Sequence, residues 1–411
     1  MRSSRTEALF GIKVLDLCRV VSGPFATMHL GDLGADVVKI EDPRGGDESR
    51  SYGPPFIGTE SAYFLSVNRN KRSCAVDLKS PAGRRAILAL AGVADVVVDN
   101  FRPGTLDKWG LSFDAMSAKN PRLVQCSISG FGRTGPDADR PGYDLILQGE
   151  CGVMDITGEP NGPPTKVGTS IADLVTGLYA SQAVLAALMK RDKTGRGGRV
   201  DVSMLDAMAS LLTFNAGIYF ASGASPRRRG NVHPTISPYE AFEASDGWFN
   251  VAVANDKFWS VFCAAIGRKE LEKDVRFEAA PRRAENRPAL AEILKPIFRA
   301  RSRTEWLSLL RQAGVPCGAI KTVGDVCEAE QLVGRDMVQS VQHQVAGKVK
   351  FVARPIRFDD APPAPSTAPP LLGQHTVDVF SEWLGWSSDT LQEFSVAGAF
   401  GRPPAVGQPA E

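Results

Sequence analysis

A chain of 411 residues has the length of two or three domains, and its 43% hydrophobic content supplies ample material for buried cores. That excludes a disordered chain and a small disulfide-stapled scaffold. The 48 Lys+Arg against 46 Asp+Glu leave a net charge of only +2, which argues against a general nucleic-acid binder.

The first 135 residues alternate apolar runs with helical stretches. GIKVLDL (11–17) reads as a strand, and Gly23-Pro24 opens a helix over FATMHLGDLG. ADVVKIE (35–41) is a second strand, and Val76-Asp77-Leu78 is a short third. Ser80 as cap and Pro81 at the first helical position start a helix through GRRAILALAG. ADVVVDN (94–100) and RLVQCSIS (122–129) are the fourth and fifth strands. Strands spaced by helices predict βαβ units and a parallel sheet. Such sheets hold ligands at the carboxyl ends of their strands, so the informative loops follow residues 17, 41, 100 and 129.

A long apolar helix covers 171–190, and its broad stripe predicts burial between layers. A Gly-rich turn, a strand and a further buried helix follow in KTGRGGRVDVSMLDAMASLLTF. SGASPRRRGN (222–231) reads as a linker. A second unit from about 236 to 325 has an edge strand, GWFNVAVA, and helices over KFWSVFCAAIG and EWLSLLRQAG. DDAPPAPSTAPPLLG (359–373) is a loop or extended arm, and TVDVFSEWLG forms a last amphipathic helix. These shifts divide the chain at 1–225, 226–330 and 331–411. There is no internal repeat.

The N-terminal stretch lacks an apolar core followed by a small-residue cleavage site, so no secretory signal is expected; a mitochondrial leader is disfavoured by Glu7. No run of about 18 apolar residues occurs, so no membrane span is expected. Seven scattered cysteines with no CxxC fit a reducing compartment, and the cytoplasm is the default.

Several chemistries fail on their motifs. Gly130-Phe-Gly132-Arg-Thr-Gly135 matches G-x-G-x-x-G, but Pro136 and a second Pro-Gly follow where a dinucleotide site needs a helix N-terminus. No nucleotide redox cofactor is therefore expected. G-x-S-x-G and the P-loop pattern are absent, and the four histidines are not spaced as a metal pair, so no metal is expected.

Basic side chains recur at strand ends instead: Lys39 and Arg44 in LGADVVKIEDPRGGD, Arg69, Lys71, Arg72 and Lys79 in NRNKRSCAVDLKSPAG, Arg102 and Lys108 in VVVDNFRPGTLDKWGL, and Arg140 in DRPGYD. Together they predict a polyphosphate site. Asp173 begins an otherwise apolar helix. One reading is a first-turn acid favoured by the helix dipole. The other is a carboxylate kept ionised as a covalent nucleophile, its ordinary pKa being about 3.9.

With these motifs in order along nearly the whole chain, together with PPTKVGTSIADLVTG, GNVHPTISPYEAF and LLGQHTVDV, the sequence closely resembles the family III CoA-transferases, the family of formyl-CoA, carnitine and bile-acid CoA-transferases. The resemblance implies an α/β fold: a Rossmann-like parallel-sheet large domain built from N- and C-terminal segments, a small α+β domain, and two subunits threaded as an interlocked homodimer. It implies coenzyme A as co-substrate, with acyl-CoA and small carboxylic acids as partners and neither nucleic acid nor membrane. By motif matching it puts the nucleophile at Asp173 and CoA contacts at Val21, Ser22, Val76 through Lys79, Asn100, Phe101, Arg102, Lys108, Arg140 and Tyr143. His233 falls at an acceptor-carboxylate position. Val21 stands where family members often carry Gln, and Asn231–Thr235 replaces the glycine lid of oxalate-using members. The second change leaves room for a larger acid, taken as a dicarboxylate with succinyl-CoA as donor. The competing activity on this fold is 2-methylacyl-CoA racemisation, whose members carry His where this chain has Tyr143; a Tyr of pKa about 10 is a poor base at neutral pH. A catalytically silent CoA-binding protein is the non-enzymatic alternative.

Overall fold

The computed structural model describes residues 7–359 and 365–401. Residues 360–364 of the Pro-rich stretch lie outside the described residues. Six strands, β1 (Lys13–Asp16), β2 (Asp36–Glu41), β3 (Lys71–Ala75), β4 (Val96–Asp99), β5 (Val124–Ser129) and β6 (Gly198–Ser203), form one sheet in the order β3-β2-β1-β4-β5-β6. Every neighbouring pair is parallel. This is the doubly wound order, and it reverses between β1 and β4. The third strand lies at Lys71–Ala75, upstream of Val76-Asp77-Leu78, because Lys71–Ala75 pairs along β2 with Ile40 opposite Cys74. Its polar residues Lys71 and Ser73 are satisfied inside the fold, so hydropathy did not reveal the strand.

Both faces of the sheet are covered, and strand residues alternate between two cores. Val96, Val98, Val124 and Cys126 pack on the side of α1 (Ser22–Asp32) and α4 (Ile171–Thr194), with Leu30, Ala180 and Val184. Leu15, Val38 and Val97 face the other side, against Ile87 and Leu90 of α2 (Pro81–Ala91). The predicted start of α2 is observed: Ser80 Oγ accepts the Gly83 N–H, and Pro81 opens the helix. The C-terminal segment returns to close this second core, with Val379, Phe380 and Trp383 of α8 (Thr376–Leu384) fully or almost fully buried.

Two compact units are present. The first comprises the described residues of Met1–Val153, Lys166–Ala216 and Gln331–Glu411; the second comprises Met154–Thr165 and Gly217–Glu330. The second unit thus starts at Gly217 and also takes in Met154–Thr165, a short stretch that the sequence division at 226 does not contain. It holds an antiparallel sheet of β7 (Tyr239–Ala244), β8 (Gly247–Ala252) and β9 (Cys317–Ala319) in the order β9-β8-β7. Gly247–Ala252 is therefore the central strand, not an edge: Phe249 and Val251 point into a core of Phe242, Phe262, Phe298 and Trp306. That core is contributed by α5 (Asp256–Ala265), α6 (Arg287–Arg299) and α7 (Arg303–Gln312).

Ile171–Thr194 and Met204–Ser222 are both long and apolar enough to cross a membrane by length and composition. Core helices of globular domains meet the same criterion. The first stretch is α4, which buries Ala172, Thr176, Ala180 and Val184 in the first unit. Its burial is one-sided, since Leu178, Tyr179 and Met189 are exposed.

Candidate active site

In a sheet of this order ligands bind where the strand order reverses, at the carboxyl ends of β1 and β4, and the loop Leu17–Val21 leaves β1 there. Its main chain is held by buried polar side chains. Asp16 accepts from the Cys18 N–H (2.9 Å), Thr27 Oγ1 (2.7 Å) and Lys71 Nζ (3.0 Å). Lys39 Nζ bonds the Cys18 carbonyl at 2.8 Å and Asp47 at 2.7 Å, with no exposure of either side chain. Burial would raise the Asp47 carboxyl, but the Lys39 ammonium beside it prevails and holds it at about 2. Removing one member of such a buried pair costs about 3–5 kcal/mol, because the other is left uncompensated.

Lys39, Arg69 and Lys71 are therefore not polyphosphate ligands, contrary to the sequence expectation. They are buried and paired with Asp47, Asp32 and Asp16. Arg72 is paired with Asp36 and Glu382, and Arg44 with Asp42. Basic residues at strand ends could not be told apart in the sequence by whether they face solvent.

At the end of the loop, Val21 caps α1 and Ser22 begins it. Both are nearly inaccessible. The first turn of α1 lies against the first turns of α4, an approach that Gly177 permits. A Cβ there would sit 2.8 Å from the Ser22 carbonyl oxygen and 3.0 Å from the Phe25 ring. One turn before Gly177 stands Asp173, and the N–H and hydroxyl of Ser22 lie beside its carboxyl and favour the charged form. Tyr63 and Asp144 lie close to Asp173, and Tyr63 is also next to Ser170 at the head of α4.

Asp144, in the first turn of α3 (Asp144–Glu150), has a structural duty as well. Its Oδ1 accepts the Ala172 N–H (2.9 Å), a free donor at the start of α4 that Ser170 does not cap. Its Oδ2 accepts from Gln148 (2.7 Å), whose Oε1 takes the Val167 N–H (2.8 Å). Burial, and next the Asp144 charge, push the Asp173 carboxyl from its ordinary range up to about 7, against the opposing influence of Ser22. The expectation of an unperturbed carboxylate is thereby corrected.

The other sequence-named positions are distributed unevenly. Val76 is buried and its N–H bonds the Glu41 carbonyl at 2.8 Å, so its side chain belongs to the core and not to a ligand surface. Lys79, Arg102 and Lys108 are exposed on loops or short turns at the strand ends. Phe101 is half-buried, edge-on to Trp109 at 5.2 Å, with the Arg19 guanidinium 5.1 Å from its ring. The Asn100 amide is occupied by the Arg19 main chain: Oδ1 accepts its N–H (2.9 Å) and Nδ2 donates to its carbonyl (2.7 Å).

Arg140 is paired with Asp137 (3.1 Å) and Glu150 (2.5 Å) and stacks 4.3 Å over Phe131. Tyr143 is 67% exposed and precedes Asp144. Gly130 and Gly142 are in backbone contact, a Cβ on Gly130 lying 2.8 Å from the Gly142 Cα. The glycines of this segment thus seat the Arg140–Asp144 loop, and the next helix starts only at Asp144. His233 lies in the second unit. Its Nδ1 accepts the N–H groups of Thr235 (3.3 Å) and Ile236 (3.2 Å) and so organises its own turn.

Asp144, Tyr63 and Gln148 were not singled out from the sequence. Asp144 is adjacent to the quoted Tyr143, yet nothing in its spacing from Asp173 shows that α3 carries it to the head of α4.

The pattern of CoA-transferase family III matches residues 9–376. The succinyl-CoA:glutarate CoA-transferase of Mus musculus is 39% identical over 392 residues, covering 95% of this chain and 90% of that protein. The succinyl-CoA:mesaconate CoA-transferase of Haloarcula hispanica is 40% identical over 385 residues, covering 91% and 96%. A crystal structure of a CaiB/BaiF family protein from Brucella suis superposes with a TM-score of 0.83 at 41% identity, covering 92% of this chain and 99% of that one. With this fold, this site and these relatives over almost its full length, the chain belongs to CoA-transferase family III and is a CoA-transferase.

Proposed function

We propose that the protein moves CoA from succinyl-CoA to a dicarboxylic acid, with Asp173 as the covalent nucleophile. The observation that carries this reading is the placement of Asp173. It lies at the carboxyl end of a doubly wound sheet, with the Ser22 N–H and hydroxyl beside its carboxyl and a pKa near neutrality. The substrate class is supported by the names of relatives at 36–40% identity, which act on succinate with glutarate or mesaconate.

The ionised Asp173 attacks the thioester carbonyl of the donor. The C–S bond breaks, giving an acyl-aspartyl anhydride and CoA thiolate. The thiolate attacks the aspartyl carbonyl, releasing the donor acid and leaving an aspartyl-CoA thioester. The acceptor carboxylate attacks that thioester, forming a second anhydride and thiolate. Attack of the thiolate on the acceptor's carbonyl yields the new acyl-CoA and restores Asp173. Each step exchanges one activated acyl bond for another, so the cycle balances without an external energy source. The Ser22 N–H and hydroxyl hold the nucleophile and are suitably placed to donate to oxyanions that develop on it.

Phe101, Arg102, Lys79, Lys108 and Arg140 offer an aromatic face and cations for the nucleotide end of CoA. Within the second unit a pocket of about 600 Å3 is lined by Arg227, Arg229 and Arg287, with Arg228 already paired with Asp155 at 2.9 Å, and a carboxylate is the chemistry such a pocket takes. An interlocked homodimer is supported by the apolar side chains left exposed along Leu178, Tyr179, Met189, Phe214 and Phe220. Seven free cysteines favour a reducing compartment such as the cytoplasm.

The test is mass spectrometry of the intact protein after incubation with succinyl-CoA. An adduct mapped to the peptide holding Asp173 and released by hydroxylamine is the expected result. No adduct, together with deuterium exchange next to a 2-methylacyl thioester, would instead establish racemisation.

A further inference from the structure

Val20 has φ 66°, the left-handed region that a β-branched residue strongly disfavours. It stands two residues before Ser22, where the chain must turn from β1 into α1. Such a conformation persists only when surrounding groups over-determine it. Here they do so residue by residue. Cys18 is bonded on its N–H by Asp16 and on its carbonyl by Lys39. Arg19 is bonded on both its N–H and its carbonyl by the single amide of Asn100. The Val20 N–H is accepted by both oxygens of Asp47, at 3.1 and 3.2 Å. Asp47 is itself fixed by Lys39 and by the Ser49 N–H and hydroxyl. The structure therefore provides a clamp on a strained turn, whose output is the direction of the Ser22 donors.

We propose that Asn100 and Asp47 are positioning residues for the nucleophile: by holding Val20 left-handed they keep Ser22 packed against the start of α4, with its N–H and hydroxyl beside the Asp173 carboxyl. The inference rests on Asp173 being the nucleophile. It gives Asn100 a positioning role beside the CoA contact the resemblance implies, since its Oδ1 and Nδ2 each bond the Arg19 main chain.

The test uses three full-length variants and single-turnover acylation by succinyl-CoA, followed by mass spectrometry across pH. Asn100→Ala is expected to slow acyl-Asp173 formation and to move its pH midpoint upward. Loss of the Ser22 donors leaves Asp173 facing Asp144, the Tyr63 hydroxyl and its own burial. Val20→Gly alone is expected to keep acylation close to wild type, because glycine adopts a positive φ without steric cost. The combined Asn100→Ala/Val20→Gly variant is expected to recover most of the lost rate and the original midpoint.

A substrate contact by Asn100 predicts the opposite: weaker acyl-CoA binding, an unmoved midpoint and no rescue by glycine. That result would overturn the inference while leaving Asp173 as nucleophile. Asp47→Gln, which keeps an oxygen acceptor but breaks the geometry with Lys39, provides a second probe, and Val20→Gly should rescue it in the same direction. Absence of an Asp173 adduct in the wild-type protein would instead overturn the reading on which the inference depends.

Discussion

Protonation of Asp173 should set the pH dependence of the first half-reaction. With its carboxyl held near 7, about half the molecules carry the nucleophilic carboxylate at pH 7. About one in ten does at pH 6, and nearly all do above pH 8. Single-turnover acylation should therefore fall roughly tenfold per pH unit below 7 and level off above 8. Asp144→Asn removes the second cause of the raised pKa while keeping an oxygen to accept the Ala172 N–H. The midpoint should move toward the ordinary carboxylate range, and the rate at pH 6 should rise relative to the plateau.

The same group bears on stability with a definite sign. A carboxyl whose folded pKa is raised is favoured as the neutral acid in the native state. Its contribution is present below the ordinary carboxylate range and is lost as pH rises through 7. A rise from 3.8 to about 7 sets a ceiling of about 4 kcal/mol on that loss. Rapid-quench mass spectrometry between pH 5 and 9 reads the first effect. A profile that is flat over this range, or one with its midpoint near 4, would refute the assignment of a buried, Asp144-facing nucleophile.

Asp173→Asn should abolish the adduct, keep CoA binding, and gain denaturant resistance over wild type by a larger margin at pH 8 than at pH 5, as followed by circular dichroism. Gly177→Ala should lower both stability and acylation, by about 1–3 kcal/mol in the first case, because the new methyl would meet the Ser22 carbonyl at 2.8 Å; parallel chemical denaturation and single-turnover measurements check this. Lys108→Ala should weaken CoA binding in calorimetry without moving the pH midpoint of acylation. Replacing Arg227 and Arg229 together by Ala should weaken binding of dicarboxylic acids more than of monocarboxylic acids of equal length, in calorimetry with each.

The alternation of apolar runs was enough to expose the parallel sheet, since strands such as Val96–Asp99 are buried on both faces and advertise it. The third strand was displaced because Lys71 and Ser73 find partners in Asp16 and Glu41, contacts between residues 32 or more apart in sequence. Long-range pairing of this kind leaves no local periodicity to read. The site was legible where chemistry is carried by one residue in a distinctive segment, as with Asp173 and Ser22. It was illegible where geometry decides the role. Lys39 and Lys79 look alike in sequence, yet one is sealed against Asp47 and the other faces water. Asn100 likewise announces a polar contact, but only the structure shows that its partner is the Arg19 backbone.

The return of α8 to the first unit has a consequence for how the chain is made. Val379, Phe380 and Trp383 close the core that Leu15, Val38 and Ile87 begin, and the His375 N–H bonds the Ser73 carbonyl beside them. During synthesis from the N-terminus, the core on one face of the principal sheet, begun by α2, stays incomplete until more than nine-tenths of the chain has left the ribosome. The second unit, whose last strand ends at Ala319, has all its core residues available before then. The part encoded in the middle is therefore positioned to mature first, while the part that bears Asp173 waits for its final helix, open meanwhile to chaperones and to the nascent copy beside it.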